Sequence, residues 1–360
     1  MADSVAEQIA ALKDEDWAIR EEAATALGAF RDARAVVPLV GLLRDADRAV
    51  RQAAVEALTA IGEPSVPVLA LCLSDPRPGV QEAASSVLSL IADERVLDPL
   101  IAALRSPDWI VRMHAAKALA RIEDERAIRP LIPLLQDKVK AVREEATTAL
   151  AKIGDPALPS LLEALKHSEW LVRLHAVEAL GKSRSAEAVE PLLWALFNDH
   201  DQAIREDVVR ALGQLGDGRA VEFLVTIMKE SGLRTLAVEA LGKIGDRRAV
   251  PVLIAVLEES DRPVMSRAVN GCGDNWDEEM NTKGAAVRAL GSLNDEAAIP
   301  ALLKALDQTV TRADAASALV SFGAKVIAPL VTIMTQTSDD NMRFHVKDAL
   351  TRIGWRPGRI

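Results

Sequence analysis

The chain has no tyrosine, and only 3% of its 360 residues are aromatic. β-Branched runs are also missing, so little in it favours strands. The apolar content of 49% comes instead from Ala and Leu, the strongest helix formers, and the chain reads as all-α. No apolar stretch approaches the roughly 18 residues a membrane-spanning helix needs, so membrane insertion is not expected. There are two cysteines, Cys72 and Cys272, far apart and unlike in context, which excludes a disulfide framework. The opening Met-Ala-Asp-Ser-Val-Ala-Glu-Gln lacks the basic and apolar regions of a secretory signal, and a cytoplasmic location is expected. The formal charge is −10, and Lys and Arg are scattered rather than clustered, which argues against nucleic acid as a ligand. That charge suits a basic or neutral patch on a partner. No phosphate loop, Cys-x-x-Cys pair, zinc-spaced Cys/His set or nucleophile elbow is present, so no cofactor is expected.

What is present is a repeat. An apolar residue followed by Arg recurs along the chain. The Arg position is occupied by Arg20, Arg51, Gln81, Arg112, Arg143, Arg173, Arg205, Arg234, Lys283, Arg312 and Arg343. Seven residues after each stands Leu, from Leu27 to Leu350. The spacing is 29 to 32 residues, apart from one gap of 49 between Arg234 and Lys283. Within one unit Val111, Ala115, Ala118, Leu119 and Ile122 form the stripe of an amphipathic helix. Ile128, Leu131, Ile132, Leu134 and Leu135 form the stripe of the helix that opens the next unit. Gly-Asp pairs such as Gly216-Asp217 and Gly245-Asp246 stop one helix and cap the next. Prolines from Pro38 to Pro329 fall early in the first helix of a pair, where the N–H groups have no intrahelical partner to lose. No unit buries its stripe alone, so stability resides in the contacts between neighbours.

This pattern resembles the HEAT repeats, specifically the short class found in the phycobilisome lyases, and the resemblance covers essentially the whole chain. It implies an α-solenoid, a superhelix of about eleven helix-pair repeats over residues 1–360, with the second helices on the concave side. HEAT-like arrays serve as scaffolds, carriers, lyase subunits and, occasionally, metalloenzymes. The acid four residues before the Arg (Asp16, Asp47, Asp108, Glu169, Asp201) matches the family's Asp–Arg ladder. Its expected roles are to satisfy helix starts and to fix the stacking angle.

Function in such an array belongs to positions the stacking does not need. Most repeats place charged or polar residues on the outward side of the second helix, as with Glu21, Gln52, Glu82 and Glu206. Two repeats do not. They read Trp109-Ile-Val-Arg-Met113-His114 and Trp170-Leu-Val-Arg-Leu174-His175, each placing an apolar pair four residues apart on one face. Either these tryptophans pack over the preceding turn, as Trp17 would at the same position, or they anchor a partner. His114 and His175 raise the question of metal. Deoxyhypusine hydroxylase, similar in fold, carries His-Glu dipeptides at the corresponding place, and this sequence contains none. A simpler set of His114, Glu145 and His175 is the remaining metal arrangement.

The second departure is an insertion of about 18 residues in repeat nine, expected as a loop over 260–281. Such insertions tend to lie on the binding face. Asn270-Gly-Cys272-Gly-Asp274 is turn chemistry, and Trp276 is followed by Asp277, Glu278 and Glu279. The loop either docks a partner through Trp276, folds back on the array, or uses the Cys272 thiol. Neighbouring acids would raise that thiol's pKa and blunt it as a nucleophile. The expected function is therefore a non-catalytic scaffold or adaptor for another protein. Its contacts would be Trp109, Met113, His114, Trp170, Leu174, His175, Cys272 and Trp276. A subunit like the bilin lyases, handling a tetrapyrrole, is the second expectation, and a metal-binding repeat enzyme the third.

Overall fold

The computed structural model describes residues 2–73, 75–91, 94–230, 232–259 and 274–356. Among these residues there are eleven helix pairs and no strand, an all-α solenoid of stacked repeats. Contacts divide the chain into two compact units, Met1–Ser183 and Arg184–Ile360.

Each pair has the same anatomy. The first helix is short, typically seven residues as in Val36–Leu42, Leu97–Ala103 and Val221–Ile227, and is entered through a single 3-10 turn. The second is typically fourteen residues, as in Arg48–Ile61, Trp109–Ile122 and Lys140–Ile153. Prolines sit at the first or second position of several first helices, where no backbone bond is lost. Repeat five is the exception. Its first helix is α-helical over Ile128–Leu131 and 3-10 over Ile132–Gln136, because Pro133 removes the N–H that would continue the α pattern.

Val111, Ala115, Ala118 and Leu119 are fully buried, as the stripe requires, and burial extends to Ala116 and Ala120. Trp109–Ile122 touches its own first helix and the second helices of both neighbours, so more than one face is covered. At four contacts between second helices, glycine stands eight residues after the Arg position. A Cβ on Gly28 would lie 2.8 Å from the Ala57 Cα. In the second unit, Cβ atoms on Gly213, Gly242 and Gly291 would meet Ala240, Ala289 and Ala318 at 2.7–2.9 Å.

The Arg series has two duties. Arg112 Nη1 donates to the carbonyls of Ser106 and Pro107, closing its own turn. Its Nε and Nη2 reach Asp137 of the following repeat at 2.8 and 3.0 Å. Arg20 does the same with Asp45, and Arg205 and Arg234 reach Glu230 and Glu259, in each case 25 residues ahead. The rung partner is thus not the acid four before the next Arg, as the resemblance led one to expect, but one nearer the start of the turn. The acids at the expected position cap helices instead: Asp16, Asp47, Asp108 and Asp201 accept from the N–H two residues on. Glu169 stands at the same place with no side-chain cap bond. Where Gln81 replaces Arg, its amide still donates to the Asp75 carbonyl, while the Asp75 carboxylate pairs with Arg44 and Arg77.

Asp274–Leu293 is one helix of 20 residues, so residues 274–281, expected as loop, are helical. Residues 260–273, with Cys272, lie outside the described residues. Lys283 takes up the duty of the missing Arg: buried, it donates from Nζ to the Glu259 carbonyl at 3.0 Å.

Candidate functional site

The two cassettes belong to second helices of the first unit, Trp109–Ile122 and Trp170–Lys182. Both pack against Lys140–Ile153, which separates them. With about 10 Å between packed helix axes, the two cassettes stand roughly 20 Å apart. Trp109 and Trp170 are the first residues of their helices and are 42% and 48% exposed, as is Trp17 at 48%. Asp108 fixes the start of the first cassette by accepting the Ile110 N–H at 2.9 Å, and the Arg112 rung holds the same turn from below. In the second cassette the Glu169 N–H donates to His167 Nδ1 at 3.1 Å, and Arg173 donates to the carbonyls of His167 and Ser168. Met113 and Leu174 are half-buried, one helical turn beyond each Trp. Each cassette therefore presents a tryptophan with an apolar foot. Between them lies the Lys140–Glu144 ion pair at 3.3 Å, on an exposed face.

The histidines behave differently. His175 is only 6% exposed, and its Nδ1 lies 2.8 Å from the Leu171 carbonyl oxygen, so that nitrogen carries the proton and donates. Its expected place on an outward contact surface is therefore corrected: the ring is turned into the packing. His114 is half-buried, and its Nδ1 is buried without a hydrogen-bond partner. Burial, and secondarily the Lys117 charge, push the His114 pKa down, so the neutral ring is favoured. Among the described residues no three His, Cys, Asp or Glu side chains come together as metal ligands, so His114, Glu145 and His175 do not form a set. Cys72 is buried, and burial, followed by the Asp75 charge, pushes its thiol pKa up. Trp276 falls in the first turn of Asp274–Leu293, with its side chain outside the described residues.

A second set of exposed rings lies on first helices of the second unit. Trp194 and Phe197 on Val189–Asn198 and Phe223 on Val221–Ile227 are 48%, 49% and 40% exposed. The rings of Phe197 and Phe223 lie 6.1 Å apart at 59°. Sequence reasoning missed them because it read the first helices only for their apolar stripe and prolines. Aligning first helices reveals the signal. Phe223 stands where Pro38, Pro99, Pro130, Pro191 and Pro329 recur, and Phe197 stands where Arg44, Arg105, Lys166 and Lys229 are found.

Comparison with known proteins places this architecture. The HEAT-repeat pattern matches residues 5–89, 65–151, 97–169, 158–233 and 275–351, and the PBS lyase HEAT-like repeat matches 233–259. A stretch of 58 residues is 40% identical to the bilin biosynthesis protein PecE of Mastigocladus laminosus, covering 16% of this chain and 22% of that protein. Among solved structures, the karyopherin Kap121p bound to the SUMO protease Ulp1p superposes with TM-score 0.65 at 14% identity, over 98% of this chain and 45% of that one. Yeast importin-β, Kap95p, gives TM-score 0.62 at 15% identity, over 98% and 57%. The chain thus spans about half the length of these karyopherins, and at such identities the likeness is one of fold. No single described helix is long and apolar enough to cross a membrane. Matched segments run over residues 5–259 and 275–351, and the chain belongs to the HEAT-repeat family.

Proposed function

We propose that the chain is a non-catalytic scaffold that binds another protein through the second-helix layer of its first unit. The observation that carries this reading is the pair of half-exposed tryptophans, Trp109 and Trp170, each rooted on a half-buried apolar residue. Rings held at a helix start lose little freedom on binding, and such anchors dominate interface energetics. The Lys140–Glu144 pair between them supplies a polar divider that would orient a partner's side chains. Met113 and Leu174 form the floor of each contact. Cys272 and Trp276 are proposed as a second contact on the strength of their sequence setting alone. The test is capture from the native source by the wild-type chain and by Trp109→Ala, Trp170→Ala and Trp276→Ala, with bound proteins identified by mass spectrometry. Loss of a common partner from the first two variants is expected, each weakening binding about 30-fold. An unchanged set of captured proteins with all three variants overturns the assignment.

A second reading rests on the 58-residue likeness to a bilin biosynthesis protein. Under it the same layer handles a tetrapyrrole or a tetrapyrrole-carrying protein. Mixing the chain with free bilin would then shift the pigment's visible absorption, and Trp109→Ala would reduce the shift. An unaltered spectrum removes this reading.

A further inference from the structure

We infer that Trp194, Phe197 and Phe223 form a docking surface for a short basic amphipathic segment of a partner, separate from the tryptophans of the first unit. Three rings, each 40–49% exposed, lie on two neighbouring first helices of one unit. An aromatic side chain offers about 150–250 Å² when fully exposed, so the patch leaves on the order of 300 Å² of apolar surface in water. That is the size of a functional patch. It is too small for a stable pairing of two folded copies, which needs about 800 Å² from each partner.

Charge decides what fits it. Val189–Asn198 and Val221–Ile227 carry Glu190 and Glu222 and no Lys or Arg. Glu190 lies four residues before Trp194, on the same helical face, and Glu222 is adjacent to Phe223. The two arginines that Glu190 and Glu222 attract, Arg219 and Arg248, are each held more closely by a second acid. Arg219 is held by Asp217 at 2.8 Å and by the Ala186 carbonyl, and Arg248 by Asp246 at 2.7 Å and by the Gly218 carbonyl. Aromatic faces beside carboxylates suit a segment that alternates apolar residues with Lys or Arg at helical spacing. The cations would meet Glu190 and Glu222 and stack over Trp194. A second copy of this chain, at net charge −10, would bring carboxylates against carboxylates, and anionic membranes and nucleic acid are repelled for the same reason.

The test uses the full chain and two fluorescein-labelled 14-residue helical peptides with the same Leu face, one with Lys and one with Glu on the polar face. Fluorescence anisotropy should show the Lys peptide binding and the Glu peptide not binding. Trp194→Ala combined with Phe223→Ala should weaken the Lys peptide at least tenfold with an unchanged circular dichroism spectrum. Glu190→Lys with Glu222→Lys, which leaves every ring in place, should weaken the Lys peptide and admit the Glu peptide. The proposal is overturned if the Lys peptide does not bind. Equal binding to the ring-deleted variant would mean general attraction to an acidic chain and also overturns it. A chain that sediments as a dimer, and as a monomer when Phe223 is Ala, assigns the patch to self-association instead.

Discussion

In the first unit the rungs of Arg20 and Arg112 end on Asp45 and Asp137, whose side chains are 9% and 10% exposed; in the second those of Arg205 and Arg234 end on Glu230 and Glu259, at 44% and 48%, and that of Arg312 on Asp339, at 43%. The extra methylene changes what the acid can do. Asp137 accepts both from Arg112 and from the Val139 N–H at 2.9 Å, and Asp45 both from Arg20 and from the Asp47 N–H, so one short side chain ties a rung and pins its own turn. Arg20 holds the Asp45 pKa below the usual carboxylate range. At Asp137 burial pushes the pKa up, but Arg112 and the Val139 N–H outweigh it and the net shift is down. The longer Glu side chains reach across to the arginine from solvent, where attraction is screened. The second unit draws more on close approach, with glycine against alanine at three successive second-helix contacts, where the first has Gly28 against Ala57.

The sharpest way to break this comparison is to delete one acid from each unit. Asp137→Ala strands a part-buried guanidinium and an uncapped N–H and should cost about 3 kcal/mol. Glu259→Ala should cost less than about 1 kcal/mol. Urea unfolding of both variants measures the difference, and equal losses would show that the buried rung carries no special weight. Next in size is the glycine contact. Gly242→Ala forces a methyl to 2.7 Å from Ala289 Cβ and should cost about 1–3 kcal/mol by overpacking. In repeat four of the first unit the matching position is already Ala120, and Ala120→Gly should lose only about 1 kcal/mol, through helix propensity. Gly41, with nothing within 4 Å of an added Cβ, should give the opposite sign. Gly41→Ala is expected to raise stability by about 0.5–1 kcal/mol, read as a higher melting temperature. The smallest effect is that of His114. Its pKa is depressed on folding from an ordinary 6.5, so the unfolded chain takes up the proton first as the solution is acidified. Stability should hold above pH 6.5 and fall as the pH drops below it, and His114→Gln should flatten that part of the profile. An unchanged slope in the variant would show that His114 does not titrate with folding.

Much of the architecture was legible in the sequence because stacking repeats its demands. The Arg–Leu spacing, the early prolines and the Ala-rich stripe each recur, so noise in one unit is averaged by the others. The partner of each Arg was harder to read, since two acids can fall in the same turn and only geometry shows that Asp47 caps while Asp45 bridges. Trp109 and Trp170 were legible as exceptions to a column of polar residues. His175 was not, because two residues after an arginine is a boundary position that small rotations of the helix turn inward. The aromatic patch was hidden for another reason: its signal lies in the first helices, whose seven to ten residues are too few to show a clear periodicity.

The separation of 25 residues between an arginine and its acid, kept at Arg20, Arg112, Arg205 and Arg234, acts as a phase-keeping length. Arg312 pairs with Asp339 at 3.0 Å across 27 residues instead, so the interval tolerates little variation. The interval from the acid to the following Arg position has no such obligation. The longest interruption in the chain falls there, between Glu259 and Lys283, and Arg234 still reaches Glu259 at the standard separation. Lys283 then resets the count by returning to the Glu259 carbonyl. Each turn is thus a port through which new sequence can enter without the neighbouring repeats losing register.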